Sequence, residues 1–271
     1  MNKTQTVAIG SVWRPLDIRL YEAADPQGAV IIAPAIGVLK TFYHDIALFL
    51  IEQGFHVITF DYFGMVMNAG ESPITANAIS KFGTYDLDEV IRYSREKFQH
   101  LKVYFLGHSI GGQIFPLAEH AHEVTAAFLV GSQQVSHHLW QGVYKIQVQF
   151  FWRVLLPIAV RAYGYLPGFA YGGKHGLQKA IALDWSRLAR TRTGMYEESE
   201  MSKSRYLSLN VPTTFVSLNG DNLLAPQAAV RALMNQYGSH AKRHIHLRLG
   251  ESAVNPHFDF FKKSFQNNWI W

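Results

Sequence analysis

The pentapeptide Gly107–Gly111, Gly-His-Ser-Ile-Gly, has the residue types and spacing for nucleophilic chemistry. It follows the apolar run Val103–Leu106 and opens the segment Ile110–His120, which has the character of a helix. A serine between two such glycines at a strand-to-helix turn is typical of a nucleophile elbow, whose strained turn lifts the hydroxyl above the sheet edge. Larger residues in place of the glycines would collide with the neighbouring elements. The pattern predicts that Ser109 is a nucleophile, and the alternative is a glycine-rich turn with a spectator serine.

A serine hydroxyl needs an imidazole as its base, and the imidazole needs a carboxylate that fixes its tautomer. Around an elbow of this kind the order along the chain is serine, then acid, then histidine. Asp221 lies in a turn directly after the strand-like run Thr213–Ser217 and is the predicted acid, although Gly-Asp-Asn is also good turn chemistry. Three other carboxylates are more distant alternatives: Asp184, Asp61 and Glu251.

His257 is the predicted base. The last strand-like run, Ile245–Leu249, and the loop 250–256 precede it, and a predicted helix, Phe258–Phe265, follows at once. This position puts the imidazole above the sheet edge, within reach of Ser109.

The chain holds 13 histidines, so the others need separate interpretations. His244 and His246 alternate along a strand without a third ligand at metal-binding spacing, which predicts a packing or surface role and no metal site. His137 and His138 are expected to be bystanders, although one of them could touch substrate. His108, inside the elbow, is expected to pack or to form a hydrogen bond.

An acyl-transfer site also needs two N–H groups that stabilise an oxyanion. The amide of Ile110 directly follows the nucleophile and is the first expected donor. The second is expected from the loop 33–38, where small residues let the backbone curl toward the serine. The predicted donor there is Ile36, with Ala35 as the neighbouring choice.

Short β-branched runs alternate with longer amphipathic segments, which predicts an α/β fold with an eight-stranded, mostly parallel sheet and helices on both faces. The predicted strands are Val7–Ile9, Leu16–Tyr21, Ala29–Ala33, His56–Phe60, Val103–Leu106, Ala126–Val130, Thr213–Ser217 and Ile245–Leu249. The predicted helices are Phe42–Gln53, Asp86–Phe98, Ile110–His120, Pro226–Gln236 and one after His257, with Gly54 as a C′ residue and Asp86 as an N-cap or first-turn acid.

Residues 132–206 break this alternation and are rich in aromatic side chains. A loop of that length without secondary structure is improbable, so we expect a helical cap (lid) after the sixth strand, over a core formed by 1–131 and 207–271. Insertions at the carboxyl edge of such sheets overhang the site. The alternative is additional core packing without substrate contact. The expected substrate pocket has four lining residues: Ala35, His108, Trp140 and Trp152.

Composition excludes several classes of function. The chain has no cysteine, which excludes disulfides and thiolate chemistry. Its net charge is +5 with scattered basic residues, which favours a solvated basic surface over nucleic-acid binding and leaves a weak attraction to anionic partners. The N-terminal segment has no signal-peptide pattern, and the apolar zone Ile146–Tyr165 is interrupted by polar residues. We therefore expect a cytoplasmic protein with no transmembrane segment.

These residues together resemble the α/β-hydrolase superfamily. The segment Asp61–Gly64, followed by Gly70–Ser72, is similar to that superfamily's Asp-Tyr-Arg-Gly-x-Gly-x-Ser segment, with Phe63 in place of the usual arginine. The resemblance covers nearly the whole chain and is greatest to the bacterial lysophospholipase-like or serine-aminopeptidase-like branch.

A narrower resemblance is to a poorly characterised group with Pro-Ala-x-Gly-Val in the oxyanion loop, here Pro34–Val38, and a following Phe42-Tyr43. The cap pattern of that group also occurs, at 166–169 and 182–185. The chain departs from the superfamily in lacking the His-Gly of the oxyanion loop and in having Pro256 where a glycine commonly precedes the histidine base.

The expected function is hydrolysis of an ester or related acyl bond by Ser109, Asp221 and His257. The aromatic cap suggests a small-molecule or lipid-like acyl substrate, and the chemistry needs no cofactor. Two alternatives stay open: an acyltransferase on the same residues, and a non-catalytic ligand-binding protein that keeps the fold. An exposed aromatic cap could also form a homodimer.

Overall fold

The structure is a computed structural model and describes residues 3–66, 78–250 and 252–269. Its eight strands are β1 Lys3–Ser11, β2 Arg14–Glu22, β3 Gly28–Ala33, β4 Phe55–Phe60, β5 Val103–His108, β6 Ala126–Val130, β7 Thr213–Leu218 and β8 Lys242–Leu247. They form one sheet in the order β1-β2-β4-β3-β5-β6-β7-β8. Strand β2 pairs antiparallel with β1 and β4, and the remaining pairs are parallel. The predicted eight-stranded, mostly parallel sheet is confirmed.

The helices are α1 His44–Glu52, α2 Ala78–Lys81, α3 Asp88–Lys97, α4 Ile110–Ile114, α5 Gly142–Phe150, α6 Leu156–Tyr163, α7 Gly168–Tyr171, α8 Lys179–Arg190, α9 Glu200–Ser208, α10 Gln227–Gln236 and α11 Pro256–Asp259. Two π-helical segments continue neighbouring helices, Phe82–Leu87 between α2 and α3 and Phe151–Leu155 between α5 and α6. Gly54 has a φ of +79° just after α1, as its predicted C′ role requires.

The buried side chains of the central strand divide between two cores. On β3, Ala29, Ile31 and Ala33 belong to one core, and Val30 and Ile32 belong to the other. Successive side chains of a strand point to opposite faces, so both faces of the sheet are covered. The first core includes residues of α3, α4 and α10, and the second includes residues of α1 and the C-terminal segment. The predicted helices on both faces are confirmed.

Several predicted element boundaries are wrong: strand β1 runs Lys3–Ser11 where Val7–Ile9 is predicted, and two further differences have a physical explanation. Strand β8 begins at Lys242, three residues before the predicted Ile245. Because β8 is an edge strand, its charged first residues reach solvent while their backbone still pairs with β7. The predicted helix Ile110–His120 is regular only as far as Ile114 and continues as a 3₁₀ segment that contains Pro116, which cannot donate to a helical ladder.

The predicted N-terminal role of Asp86 is also wrong. Asp86 lies inside the π-helical segment, in the middle of the helical stretch from Ala78 to Lys97, and it is fully buried. Its carboxylate accepts hydrogen bonds from the guanidinium of Arg14, with Nη2 at 2.9 Å, and from the Phe63 amide at 3.0 Å. Asp86 therefore connects the helix to strand β2 and to the loop after β4 through tertiary hydrogen bonds.

The interval between β6 and β7 contains the five helices α5 to α9. Within the described part of the chain, one continuous helix, Gly142–Tyr163, is long and apolar enough to cross a membrane, a weak sign because core helices pass the same test. The expected absence of a transmembrane segment stays a prediction. Gly70–Ser72 and Glu251 lie outside the described residues.

Burial raises the pKa of Asp86 to about 6, although the hydrogen bonds from Arg14 and Phe63 oppose the rise. The ion pair therefore stabilises a carboxylate that would otherwise be unfavourable in the core.

We predict that Arg14→Ala lowers the free energy of unfolding at neutral pH by about 3 kcal/mol, because it leaves Asp86 buried without its counter-charge. The deficit should shrink as the pH falls toward about 6, because protonation neutralises the stranded acid. Urea denaturation at several pH values measures both effects.

The matched control is Arg92→Ala, which breaks an exposed pair with Glu89 and should change stability by less than about 1 kcal/mol at every pH. Equal losses in the two variants would contradict the structural role of the Arg14–Asp86 pair.

Candidate active site

Ser109 occupies a strained turn between β5 and α4. Its φ is +52° and its ψ is −111°, and it is the only non-glycine residue with positive φ in the described ranges. The turn is fixed on both sides: the Ser109 amide donates to Val130 O on β6 at 3.0 Å, and Ser109 O accepts from the Gly112 amide at 3.2 Å. Such a conformation costs on the order of 1–3 kcal/mol and persists only where the surroundings hold it.

The neighbouring glycines are required by close approach. A Cβ on Gly111 would lie 2.7 Å from Ala33 O of β3, and a Cβ on Gly107 would lie 2.8 Å from the Phe105 ring. A Cβ on Gly112 would overlap the Ser132 side chain. The glycine-rich sequence around Ser109 therefore lets α4 begin directly against the sheet.

Asp221 and His257 are hydrogen-bonded to each other in a buried setting. His257 Nδ1 donates to Asp221 Oδ2 at 2.7 Å, although 36 residues separate them in the chain. Asp221 follows β7, and its other oxygen, Oδ1, accepts from the Ala225 amide at 3.0 Å. With Nδ1 engaged by the acid, Nε2 is the ring nitrogen left to act as a base.

The backbone after β6 connects Ser109 with His257. Val130 accepts the Ser109 amide, and the next residue, Gly131, has a φ of +58°. A Cβ on Gly131 would lie 2.9 Å from both Cε1 and Nδ1 of His257. The His257 imidazole therefore packs against Gly131, and the residue before it, Val130, accepts the Ser109 amide. The Ser109 hydroxyl makes no hydrogen bond to any residue of 3–66, 78–250 or 252–269.

The two predicted oxyanion donors are the amides of Ile36 and Ile110. Neither has an acceptor among the residues that the structure describes. The Ala35 amide, by contrast, donates to the Tyr43 hydroxyl at 2.8 Å. Gly37 donates to Met65 Sδ, and Val38 donates to Ala35 O. Of the two neighbouring choices in this loop, only Ile36 is therefore free to bind an anion.

Tyr43 also connects this loop to His108. Its hydroxyl lies 2.8 Å from His108 Nδ1 while it accepts the Ala35 amide, so its own proton is donated to Nδ1. Burial and the neighbouring His257 lower the pKa of His108 well below its ordinary value. His108 is thus neutral, and its ring centroid is 4.8 Å from that of His257. Sequence analysis missed the role of Tyr43, and its only signal was a tyrosine soon after the oxyanion loop.

Asp259 was a second residue missed. Its Oδ2 accepts from the amides of Val254 and Asn255, both at 2.8 Å, and Lys262 Nζ binds Oδ1 at 2.6 Å. Burial alone would raise the pKa of Asp259, but these hydrogen bonds lower it below its ordinary value. The Asp259 carboxylate therefore fixes the loop that leads into His257. His257 lies inside α11, so its predicted position directly before a helix is wrong.

The alternative acids have other partners. Asp61 accepts from the Lys40 amide and binds Lys40 Nζ, both at 2.6 Å. Asp184 accepts from the Ile79 amide at 3.0 Å and pairs with Arg187. Neither carboxylate contacts His257, so the structure brings only Asp221 to the imidazole among the described candidates.

The histidines expected to be bystanders also have partners of their own. His138 Nδ1 lies 2.7 Å from Ser136 Oγ, and His137 Nδ1 lies 3.1 Å from Ala189 O. His244 Nε2 and His246 Nδ1 are both 2.8 Å from Ser217 Oγ. Across the described ranges no group of three or more metal-binding side chains occurs.

The two predicted pocket tryptophans are buried in different parts of the segment 132–206. Trp140 Nε1 donates to Leu223 O, two residues after Asp221, at 2.8 Å. Trp152 packs edge-on against Trp185 with ring centroids 4.7 Å apart. A third aromatic residue of this segment, Tyr171, covers Gly37 in the oxyanion loop, where a Cβ would lie 2.9 Å from its Cζ. The segment therefore contacts the surroundings of Ser109 at two points.

A cavity of about 890 Å³ lies elsewhere, and it is not the site of this chemistry. Its lining includes Tyr104, Ala126, Thr213 and Lys242, which stand at or near the amino ends of β5 to β8. Ser109 follows the carboxyl end of β5, at the opposite end of the sheet. Ligands of open α/β sheets bind at the carboxyl ends of the strands.

Solved structures with a similar fold include three enzymes. A soluble variant of monoglyceride lipase from Saccharomyces cerevisiae, in complex with a substrate analog, has a TM-score of 0.68 and 11% identity, over 98% of this chain and 92% of that one. A thermostable carboxyl esterase from Bacillus coagulans has a TM-score of 0.63 and 13% identity, over 98% of this chain and 96% of that one. An esterase from Exiguobacterium antarcticum has a TM-score of 0.63 and 14% identity, over 98% of both chains. Identities this low establish the fold alone.

Curated proteins give no match to the sequence. A family model, Hydrolase_4, serine aminopeptidase S33, matches residues 24–248, which include Ser109 and Asp221 and extend through β8. That match spans most of the chain and agrees with the branch of the α/β-hydrolase superfamily that the sequence resembles. The chain belongs to the serine aminopeptidase S33 family of α/β-hydrolase fold proteins.

Proposed function

We propose that this protein is a serine hydrolase that cleaves an ester bond of a small or lipophilic substrate. The observation that carries the proposal is the buried hydrogen bond between His257 Nδ1 and Asp221 Oδ2, formed beside the strained turn of Ser109. A buried carboxylate–imidazole pair next to a positive-φ serine is the arrangement that activates a hydroxyl nucleophile.

The proposed reaction has two halves. Ser109 Oγ attacks the carbonyl carbon while His257 Nε2 takes the hydroxyl proton, and the amides of Ile36 and Ile110 stabilise the oxyanion. His257 then gives the proton to the departing alcohol, which leaves an acyl-enzyme. A water molecule, deprotonated by His257, then attacks the acyl-enzyme carbonyl, and the proton returns from His257 to Ser109 Oγ as the acid is released. The hydrogen bond between Ser109 and His257 is expected to close when substrate binds, since such contacts are often long in free enzymes.

We further propose that residues 132–206 act as a lid over a core formed by 1–131 and 207–271. Two contacts support this: Trp140 binds the loop that carries Asp221, and Tyr171 covers the oxyanion loop. A lid excludes water and supplies an apolar wall for the acyl or aryl group. Trp140, Trp152, Ala35 and His108 remain the proposed pocket residues.

Charge distribution favours an ester over the free amino terminus of a peptide. Recognition of an ammonium group needs a carboxylate near the site. The part of the proposed lid before Asp184 supplies no carboxylate, Asp184 is paired with Arg187, and Asp61 near the oxyanion loop is paired with Lys40. The names of the structural relatives, a monoglyceride lipase and two esterases, support the same choice. A location in the cytoplasm stays a prediction.

We predict that Ser109→Ala lowers kcat for p-nitrophenyl butyrate by about 10⁴-fold or more, because no acyl-enzyme forms. Labelling by a fluorophosphonate probe should be lost together with turnover. Circular dichroism checks that the variant is folded.

The matched control is Ser132→Ala, which removes a nearby buried hydroxyl without a hydrogen-bond partner in the described chain and should leave both readouts intact. If native protein is folded but neither turns over esters nor reacts with the probe, it is a binding protein. If added alcohols divert the acyl group from water, it is an acyltransferase.

Asp221→Asn should lower kcat by about 10⁴-fold, because the amide favours the wrong imidazole tautomer at His257. Asp184→Asn is the matched comparison and should leave kcat nearly unchanged, since that acid contacts Arg187 and Ile79. Steady-state kinetics on both variants is the measurement. A severe loss in Asp184→Asn with a mild one in Asp221→Asn would reverse the assignment of the acid.

Tyr43→Phe should lower kcat by about tenfold with little change in KM, because the Ala35 amide and His108 lose the hydroxyl that fixes the oxyanion loop. Tyr206→Phe removes another buried hydroxyl, one that donates to Gln113 O. It should reduce stability similarly, by about 1–3 kcal/mol, without the kinetic defect. The same kinetic loss in both variants would show that Tyr43 acts only through stability.

A further inference from the structure

The continuous helix Gly142–Tyr163, here called the cap helix, carries apolar side chains on the face that points away from the protein. Ile146 is 70% exposed, Phe150 56% and Ile158 61%. Together with two further exposed residues at helical spacings they form what we call the outer apolar face: Val143, Ile146, Phe150, Val154 and Ile158. A helix at a water-facing surface normally presents polar residues there.

The opposite side of the cap helix packs into the protein core. Its buried residues also recur at helical spacings: Val148, Trp152, Leu156, Ala159 and Val160. Ser186 on α8 donates to Trp152 O, which ties the middle of the cap helix to its neighbour. The cap helix is thus fixed along one side by packing into the protein. The exposed apolar side is the part of the cap helix that these contacts do not cover.

The exposed apolar surface continues beyond the end of the cap helix. Phe169 on α7 is 76% exposed, and its ring lies 6.0 Å from that of Tyr163. Aromatic side chains of this kind favour the boundary between water and hydrocarbon.

Charge shows what kind of partner fits this surface. Glu123 and Asp184 are consecutive acidic residues in the sequence, so the chain between them has no negative side chain. Five cationic residues lie in that interval, and all of them are exposed: Lys145, Arg153, Arg161, Lys174 and Lys179. No carboxylate of the described chain forms a salt bridge with Lys145, Arg153 or Arg161.

We propose that the outer apolar face and the cations around it form a docking surface for an anionic phospholipid bilayer, with the cap helix lying in the membrane plane. Apolar side chains would enter the acyl boundary while Lys and Arg side chains reach the lipid phosphates. A second copy of the chain fits less well, because pairing two such faces would bring like charges together. This proposal does not depend on the catalytic assignment.

The test is co-flotation of the full chain with vesicles of phosphatidylcholine alone or of phosphatidylcholine mixed with phosphatidylserine. The unmodified protein should bind the anionic vesicles, and added salt should weaken this binding. The variant Ile146→Gln/Phe150→Gln should bind them about tenfold or more weakly, because two inserted side chains lose their apolar contact. Arg153→Gln/Arg161→Gln should lose about fivefold per residue.

Controls are chosen from exposed residues elsewhere on helices. Met201→Gln/Leu207→Gln removes two exposed apolar side chains from α9, and Lys97→Gln removes an exposed cation from α3. Both variants should bind like the unmodified protein.

Failure of the unmodified protein to bind anionic vesicles would overturn the proposal, as would binding that the cap-helix variants leave unchanged. Sedimentation velocity supplies the third arm. A dimer that dissociates in Ile146→Gln/Phe150→Gln, together with no vesicle binding, would identify the outer apolar face as a self-association surface and refute membrane docking. Vesicle binding by Ser109→Ala should match that of the native chain, so failure here is distinct from failure of the proposed hydrolase activity.

Discussion

The backbone of Ser109 is held in a conformation that residues with a side chain avoid, and the candidate site is organised around holding it there. Three strands take part: β5 ends in the turn, β6 accepts the Ser109 amide, and β3 closes against Gly111. The strain is localised at the residue whose hydroxyl must stand clear of its own chain. The fold thus holds Ser109, the proposed nucleophile, in a turn that a relaxed backbone would not adopt.

The proposed partners of Ser109 are fixed by short-range devices outside the turn. Asp221 is oriented by the Ala225 amide, and the loop before His257 is closed by the carboxylate of Asp259. Tyr43 holds the Ala35 amide on one side and neutral His108 on the other. Each group is set by hydrogen bonds that remain when no substrate is present, which reduces the reorganisation needed in a transition state.

The segment between β6 and β7 has two surfaces with different chemistry. Its inner side contacts the loops around Ser109 through Trp140 and Tyr171. Its outer side combines exposed apolar residues with cations and has no acid between Glu123 and Asp184. An arrangement of this kind places a lipophilic surface and the proposed substrate entrance on the same part of the molecule.

The eight-stranded α/β architecture and the position of the elbow at Ser109 could be predicted from the sequence, because hydrophobic periodicity and a strand–turn–helix pattern are local properties. The sequence also predicted the acid, Asp221, and the histidine, His257, in this order along the chain. The pairing of His257 with Asp221, and not with Asp61 or Asp184, is a tertiary contact, since Asp61 bonds to Lys40 and Asp184 accepts from Ile79. Two further tertiary contacts have the same character. The Tyr43 hydroxyl occupies the Ala35 amide, so that Ile36 is the free amide of the two, and Arg14 pairs with the buried Asp86. Contacts between residues far apart in the chain leave no periodic signal, so only the folded chain reveals them.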